Sequence, residues 1–272
     1  MKIERALISV SDKNGLIPFV KRLNELGVEI LSTGGTAKAI SNEGIPVIEI
    51  SDYTGAPEMF DGRLKTIHPK VHGGLLFRRD HPEDPEQAEK NDIPRIDLLV
   101  VNLYPFEQTI SKEDVTLEEA IENIDIGGPA MLRAASKNYK SVTVITDTDD
   151  YDVVADEMEK SDGETSLKTR ERLAIKVFLR TGSYDQAIGN YLNNSQKTEG
   201  GYSVSLPLAS ELRFGEYPHQ SASLYGNFND YFTRLQGKDL SYTNVIDIAA
   251  AAQLVSEFLR PTVAILKHTN PC

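Results

Sequence analysis

The chain has 272 residues, of which 40% are hydrophobic and 26% are charged, as in an ordinary globular protein. Its net charge of −12 argues against broad nucleic-acid binding, because such binding needs a basic face that displaces counterions from phosphates. The only cysteine is Cys272, which excludes an internal disulfide and a cysteine-rich zinc site, and no apolar run is long enough to cross a bilayer.

Strands and helices are predicted in alternation along most of the chain. Short apolar runs predict strands at residues 6–10, 28–31, 47–50, 96–103 and 141–145. Periodic apolar residues predict helices at residues 11–26, 37–43, 71–79, 116–124, 149–160 and 167–192, the last interrupted near Gly182, and another helix opens at residues 125–129. Strand, polar turn and helix in repetition are typical of an α/β fold with a mainly parallel sheet flanked by helices.

Local signals refine several of these elements. Ser11 or Asp12 is predicted to cap the first helix. Residues 96–103 form the most apolar run of the first half and predict a central strand buried on both faces, whereas residues 81–85 predict an exposed loop. The apolar run before Ser11 is too short for a signal peptide, so a cytoplasmic location is expected.

A polar, glycine-bearing stretch near residue 200 indicates a domain boundary. We predict a first domain at residues 1–195, a linker at residues 196–207 and a second segment at residues 208–272. An alanine-rich helix near residues 245–259 and a strand at residues 262–266 are predicted in the second segment. This segment is small for an independent domain.

Residues 61–80 form a positive cluster inside an acidic chain, with five cations against Asp61 and Asp80. Such a cluster favours a small anionic ligand, most simply a phosphate ester, although a solvated basic loop has the same composition. His68 and His72 are four residues apart, but no carboxylate stands at the spacing of a third ligand, so no metal site is predicted. The five cations are Arg63, Lys65, Lys70, Arg78 and Arg79.

Three polar or glycine-bearing turns directly follow predicted strands, at residues 11–13, 33–36 and 125–128. Each is also typical of an ordinary loop or helix cap, but in a parallel sheet all three fall at the edge where ligands bind. Helix N-termini at that edge offer free N–H groups to an anion. Together with the positive cluster, these turns predict a phosphate cradle that uses the side chains of Ser11, Lys13, Thr33, Thr36, Lys65 and Thr66.

Tyr104, Asp125 and Lys137 are the candidates for chemistry beside this cradle. Tyr104 follows the most buried strand, Asp125 precedes Gly127 at a helix start, and Lys137 lies further along that helix. A lysine, an aspartate and a tyrosine near a bound phosphate ester suit proton transfer and oxyanion stabilisation. The alternatives are a packing aromatic, a dipole-stabilising cap and a solvated lysine.

Long, ordered motifs across residues 2–272 resemble one known family. They are SVSDK (9–13), STGGTAKAI (32–40), GRLKTIHPKVHGGLL (62–76), NLYPF (102–106), NIDIGGPAMLRAASKN (123–138), LRFGEYPHQ (212–220), GKDLSYTN (237–244) and LKHTNPC (266–272). The chain resembles the bifunctional AICAR transformylase/IMP cyclohydrolase family of purine biosynthesis.

The resemblance implies a methylglyoxal-synthase-like first domain that closes the purine ring of the formylated aminoimidazole carboxamide ribonucleotide, giving IMP and water without a cofactor. It implies Lys137 as proton donor and acceptor, helped by Lys65, Tyr104 and Asp125. The phosphate and ribose would lie against the cradle, and Asn102, Asp125 and Ile126 would contact the base. The implied substrate-binding residues are Ser11, Asp12, Lys13, Thr33, Gly34, Gly35, Thr36, Arg63, Leu64, Thr66, Val101, Asn102, Ile126 and Gly127.

For the second segment the resemblance implies the start of a cytidine-deaminase-like α/β transformylase domain, which uses 10-formyltetrahydrofolate as co-substrate. Lys267 and His268 match the catalytic pair, His268 being the general base, and Arg213 and Phe214 match substrate-binding positions. Phe214 replaces the usual tyrosine and lacks its hydroxyl. Because the family's second half is several-fold longer, a polypeptide ending at Cys272 is expected not to transfer the formyl group.

Two rival functions fit a phosphate-binding domain of this type. One is methylglyoxal synthase, a lyase, against which the NLYPF and DIGGPA segments argue. The other is a non-catalytic regulatory module, which needs the cradle but not the four candidate catalytic residues together. The expected partners are a small ribonucleotide and no nucleic acid or membrane, and a homodimer is one expectation.

Overall fold

The computed structural model describes residues 2–196, 204 and 206–271 and divides the chain into two units, Met1–Ser203 and Val204–Cys272. Most of the predicted linker, residues 197–203 and 205, lies outside the described residues.

A five-stranded sheet forms the centre of the first unit, with the strand order β3-β2-β1-β4-β5. Every neighbouring pair in it is parallel, which confirms the predicted mainly parallel α/β architecture. The carboxyl ends of the strands therefore share one edge, and β1 lies in the middle. The strands are β1 (Arg5–Val10), β2 (Glu29–Ser32), β3 (Ile48–Glu49), β4 (Leu98–Asn102) and β5 (Thr143–Ile145).

Helices connect and flank these strands. Three of them, α3, α5 and α6, are missing from the sequence prediction. Each has only five to seven residues, and none of the three shows a clear apolar period. None of the helices in the described part of the chain has both the length and the apolar composition needed to cross a bilayer. The helices are α1 (Leu16–Glu25), α2 (Gly34–Ser41), α3 (Ile50–Thr54), α4 (Pro69–Leu76), α5 (Asp84–Lys90), α6 (Phe106–Ile110), α7 (Leu117–Glu122), α8 (Gly127–Lys137), α9 (Tyr151–Lys160) and α10 (Leu167–Gln196).

The predicted start of the first helix is wrong, because α1 begins at Leu16 and not at Ser11. Gly15 is its N-cap, with a φ of 68° that glycine adopts readily. Asp12 instead accepts the backbone N–H of Asn14 at 2.9 Å. The residues after β1 thus form a separate loop at the carboxyl edge of the sheet.

Helix α10 runs without a break, so the predicted interruption near Gly182 is wrong. Its inner face buries Val177 and Tyr184 completely, while a Cβ at Gly182 would have nothing within 4 Å. Packing of an apolar face outweighs the poor helix propensity of a single glycine.

The described part of the second unit combines short strands with one longer helix, α12. The observed helix α12 begins at Tyr242, three residues before the predicted start, because Ser241 and Asn244 form a capping box there. The predicted strand at residues 262–266 is wrong except at Leu266: an apolar run forms a strand only where a partner strand lies beside it, and Val263 and Ile265 are exposed. That this unit is deaminase-like stays a prediction. Its elements are β6 (Leu208–Leu212), β7 (Ala222–Tyr225), α11 (Phe228–Tyr231), α12 (Tyr242–Ser256), β8 (Leu266–Lys267) and β9 (Asn270–Pro271).

The core of the first unit is sensitive to a cavity at Leu99, which has no exposed surface and pairs in register with Leu7 and Val144. Leu99→Ala is expected to lower the free energy of unfolding by about 3 kcal/mol, measured by urea denaturation. Val153→Ala on the exposed face of α9 is the control and is expected to cost less than about 0.5 kcal/mol. Equal costs for the two variants would contradict this description of the core.

Candidate active site

A cavity of about 920 Å³ opens at the carboxyl edge of the sheet, where β1, β2 and β4 end. It brings together most of the predicted site residues, although Asp12, Leu64 and Lys137 do not line it. The predicted residues that line it are Ser11, Lys13, Thr33, Gly34, Gly35, Thr36, Arg63, Lys65, Thr66, Val101, Asn102, Tyr104, Asp125, Ile126 and Gly127.

The N-terminus of α2 forms one wall of this cavity. Helix geometry leaves the first N–H groups of α2, those of Gly34 and Gly35, without an acceptor inside the helix. The Thr36 hydroxyl, in contrast, donates to the Val10 carbonyl at 2.9 Å and accepts the Val10 N–H at 3.1 Å. Thr36 therefore joins the end of β1 to α2, and its predicted contact with phosphate stays a prediction.

Asn102, at the end of β4, braces the loop after β1. Its Oδ1 accepts the N–H groups of Ser11 at 2.7 Å and Asp12 at 3.0 Å, and its Nδ2 donates to the Asp12 carbonyl at 2.9 Å. The contact of this side chain with the base, which the resemblance implies, stays a prediction. The exposed Lys13 ammonium makes a long contact of 3.5 Å with the Ser11 carbonyl oxygen, so it can turn to a ligand.

A tight hairpin supplies the third wall. Met59 and Leu64 pair as an antiparallel bridge, with positive φ angles at all three residues 60–62 of the turn. The backbone of Leu64 is used in this pairing, which explains why Leu64 does not line the cavity. Just beyond the turn, Lys65 forms an ion pair with Glu58.

The positive cluster seen in the sequence is dispersed in space. Lys70, Arg78 and Arg79 pair with acidic residues outside the cavity. Only Arg63 and Lys65 line it, and each has a carboxylate partner. The described residues that line the cavity include four acidic and three basic side chains, so the predicted excess of positive charge is wrong for this site.

Asp125 lies at the N-terminus of α8, where its Oδ1 accepts the Gly128 N–H at 2.8 Å. Burial raises the pKa of this carboxyl above its ordinary value, although backbone hydrogen bonds from Gly128 and Tyr104 act in the opposite direction. The Asp125 N–H donates to the hydroxyl of the fully buried Tyr184 at 2.8 Å, which fixes the start of the helix.

Glycines allow close approach at this helix start. A Cβ on Gly128 would stand 2.9 Å from Cγ of Asp125, and one on Gly127 would stand 2.6 Å from the hydroxyl of the buried Thr66. Tyr104 and Ile126, which are 50% and 61% exposed, add apolar surface at the mouth of the cavity. A carboxyl, a hydroxyl and the Gly127 N–H, which has no acceptor inside the helix, thus meet beside an apolar rim.

Lys137 is not part of this group. It is the last residue of the 11-residue helix α8, so it lies about 15 Å along the axis from Gly127. There it lines a second cavity of about 420 Å³ with Arg78, His81 and Lys140. The helix that places Asp125 at the sheet edge carries Lys137 away from it, which corrects the predicted convergence of the two residues within one copy of the chain.

Sequence reasoning missed Glu58, Glu122 and Tyr184. Glu58 and Glu122 pair with two of the three cavity cations, Lys65 and Arg63. Tyr184 reaches the site from α10, and no local motif marks a buried tyrosine that acts 59 residues away. Glu58 alone has a local signal, its place directly before the turn in the run Pro57-Glu58-Met59, and that signal is weak.

The residues predicted for formyl transfer lie in the second unit. The Arg213 guanidinium stacks over the Phe214 ring at 4.6 Å, next to backbone bonds with residues 240 and 242. Lys267 ends β8, and His268 follows with a positive φ of 54°. Within residues 2–196, 204 and 206–271, no three histidine, aspartate or glutamate side chains are grouped to hold a metal ion.

Comparisons with known proteins agree with these features. The model of the MGS-like domain matches residues 15–130, and that of the AICARFT/IMPCHase bienzyme matches residues 135–272. The chain is 54% identical to the bifunctional purine biosynthesis protein PurH of Chlorobium phaeobacteroides and 52% identical to that of Pelodictyon phaeoclathratiforme, over 99% of this chain and 54% of each relative. It therefore spans about half the length of these curated relatives. A crystal structure of ForH is 34% identical, with a TM-score of 0.61, over 69% of this chain and 97% of that one.

Proposed function

We propose that the first unit of this chain, which belongs to the AICARFT/IMPCHase bienzyme family, is an IMP cyclohydrolase. In this reaction the formylated aminoimidazole carboxamide ribonucleotide closes to IMP with loss of water. The supporting observation is one cavity that joins the N-termini of α2 and α8 and holds Lys65 and Asp125 between them. An anionic tail and a developing oxyanion can each face one helix N-terminus there.

The α2 wall is the proposed phosphate site. The N–H groups of Gly34 and Gly35 and the Lys13 ammonium offer hydrogen bonds to phosphate oxygens. The base then extends towards Tyr104 and Ile126, whose exposed surfaces suit a flat ring. Binding at both ends places the two reactive substituents of the imidazole beside Asp125.

Ring closure forms a bond between the carboxamide nitrogen and the formyl carbon of one molecule. Holding these two atoms in contact supplies much of the acceleration, because the reaction needs no second reactant. Asp125 is the proposed base for the carboxamide proton. The formamide nitrogen then loses its own proton as a C=N bond forms to the former formyl carbon, and the formyl oxygen, carrying these two protons, leaves as water. Lys65 and the Gly127 N–H at the start of α8 stabilise the charge on that oxygen.

The pKa of Asp125 leads to a prediction for the pH profile. A general base must be ionised, and burial raises the pKa of this carboxyl above its ordinary value of 3.8. Activity is therefore expected to fall as the pH drops through the raised pKa, so the acidic limb of kcat/KM lies above pH 3.8. Asp125→Asn should abolish that limb together with most of the turnover. An acidic limb that persists unchanged in Asp125→Asn would contradict the assignment.

The second unit carries the proposed transformylase residues Lys267 and His268, with 10-formyltetrahydrofolate as the co-substrate. His268 would act as the base for the substrate amine, and Arg213 and Phe214 would contact the substrate. For a polypeptide of these 272 residues, absence of formyl transfer stays a prediction, and folate-dependent turnover would contradict it.

Product analysis tests the proposal directly. The chain is incubated separately with the formylated ribonucleotide and with dihydroxyacetone phosphate. Formation of IMP from the first and nothing from the second supports a cyclohydrolase. Methylglyoxal from the second would favour the lyase, and nucleotide binding without any product would favour a regulatory module.

A further inference from the structure

Glu58 is an acidic residue inside a cavity proposed to bind an anion. Its carboxylate forms an ion pair with the Lys65 ammonium, and both side chains line the same cavity. Lys65 Nζ in turn lies 3.1 Å from the position that a Cβ on Gly34 would take. Glu58, Lys65 and the first residue of α2 are thus immediate neighbours.

A lysine ammonium at a helix N-terminus is electrostatically unfavourable, because both carry positive charge. Glu58 offsets this repulsion by placing a carboxylate against Lys65. The left-handed turn helps, since Gly62 has a φ of 92° and no side chain to block the carboxylate, whose Oε1 lies 2.7 Å from the Cβ position of Gly62. Glu58 thus supplies the negative charge that this corner of the cavity favours.

We propose that Glu58 is the internal counter-ion of Lys65 and that a phosphate-bearing ligand must displace its carboxylate, so that Glu58 weakens the binding of that ligand. The inference rests on the proposed function only in taking the ligand to be a phosphate ester. A phosphate at the N-terminus of α2 brings up to two negative charges beside Glu58, and the two groups repel. The Glu58 side chain is 46% exposed, so it can turn to solvent when the ligand enters.

Weakened phosphate binding suits the proposed reaction. The substrate and the product carry the same phosphate, so tighter binding of that group would stabilise both equally and would not raise kcat. It would instead slow the release of product. Glu58 therefore sets the affinity of the cavity and takes no part in bond formation.

The test compares the affinity of the full chain and of Glu58→Gln for ribose 5-phosphate by titration calorimetry. Glutamine keeps the size of the side chain and removes its charge, so Kd is expected to fall about tenfold. The matched control is Glu43→Gln, since Glu43 forms a similar ion pair with Lys21 at 3.0 Å outside the cavity. Its Kd should stay within about twofold of the parent value.

A second pair of variants isolates the contact. In a Lys65→Met background, Glu58→Gln should tighten binding less than it does in the parent chain, because the ion pair is already absent. An unchanged or higher Kd for Glu58→Gln alone would overturn the proposal and make Glu58 a residue that positions Lys65. Ribose 5-phosphate cannot undergo ring closure, so a chain that binds it in the expected pattern but forms no IMP would contradict only the proposed cyclohydrolase activity.

Discussion

Lys65→Ala is expected to lower kcat/KM for IMP formation by about 10³-fold. Lys65 lies beside the N-terminus of α2, the proposed phosphate site, and lines the same cavity as Asp125. Its removal takes away a positive charge that stabilises the developing negative charge on the formyl oxygen. Steady-state rates followed at the purine absorbance band measure the effect.

Lys168→Ala is the control for this prediction. Lys168 is exposed in the first turn of α10 and is not among the residues that line the cavity, so its removal should leave the rate unchanged. A loss in Lys65→Ala of less than about tenfold would contradict the place given to Lys65 in ring closure. An equal loss in both variants would indicate general damage to the fold.

Gly128→Ala is expected to lower kcat by about 10²-fold, because a misplacement of a catalytic group by about 1 Å has that effect. The added Cβ would stand 2.9 Å from Cγ of Asp125, so the carboxylate must move away from the start of α8. The helix itself should persist, since alanine has the higher helix propensity. Affinity for ribose 5-phosphate should change little, because the phosphate site is on α2.

Gly182→Ala is the matched control, since Gly182 is also in a helix and a Cβ there would have nothing within 4 Å. It should keep full activity and raise the free energy of unfolding by about 0.5–1 kcal/mol. If Gly128→Ala also keeps full activity, the close packing of Asp125 on the helix start is not needed for turnover.

The sheet and the loops at its edge could be predicted from local patterns. Apolar runs followed by polar turns predict that these loops lie at the carboxyl edge of the sheet, because parallel strands bring their carboxyl ends together whatever the details of the helices. The same logic located Asp125, since a carboxylate before two glycines marks a helix start.

Predictions that depended on where side chains go after a turn were less successful. Lys70, Arg78 and Arg79 are near Lys65 in sequence, but α4 and the loop after it carry them to other acidic partners. Lys137 is separated from Asp125 by the length of a helix, which sequence proximity hides. The spacing of residues in the sequence predicts the directions of their side chains only within one helix or strand.

The residues that the sequence did not reveal act through contacts between distant elements. The Asn102 amide braces a loop 90 residues earlier in the chain, a contact that no local pattern indicates. Tyr184 supports the start of α8 from another helix, and Glu58 pairs with Lys65 across a hairpin. Such roles are properties of packing and have no local signature.

The most direct measurement of the central claim is a crystal structure of the chain with IMP. We expect the phosphate at the Gly34 and Gly35 N–H groups, Lys65 released from Glu58, and the pyrimidine ring of the purine beside Asp125. Electron density for IMP in the second cavity, with its phosphate against Arg78 and Lys137, would contradict the account.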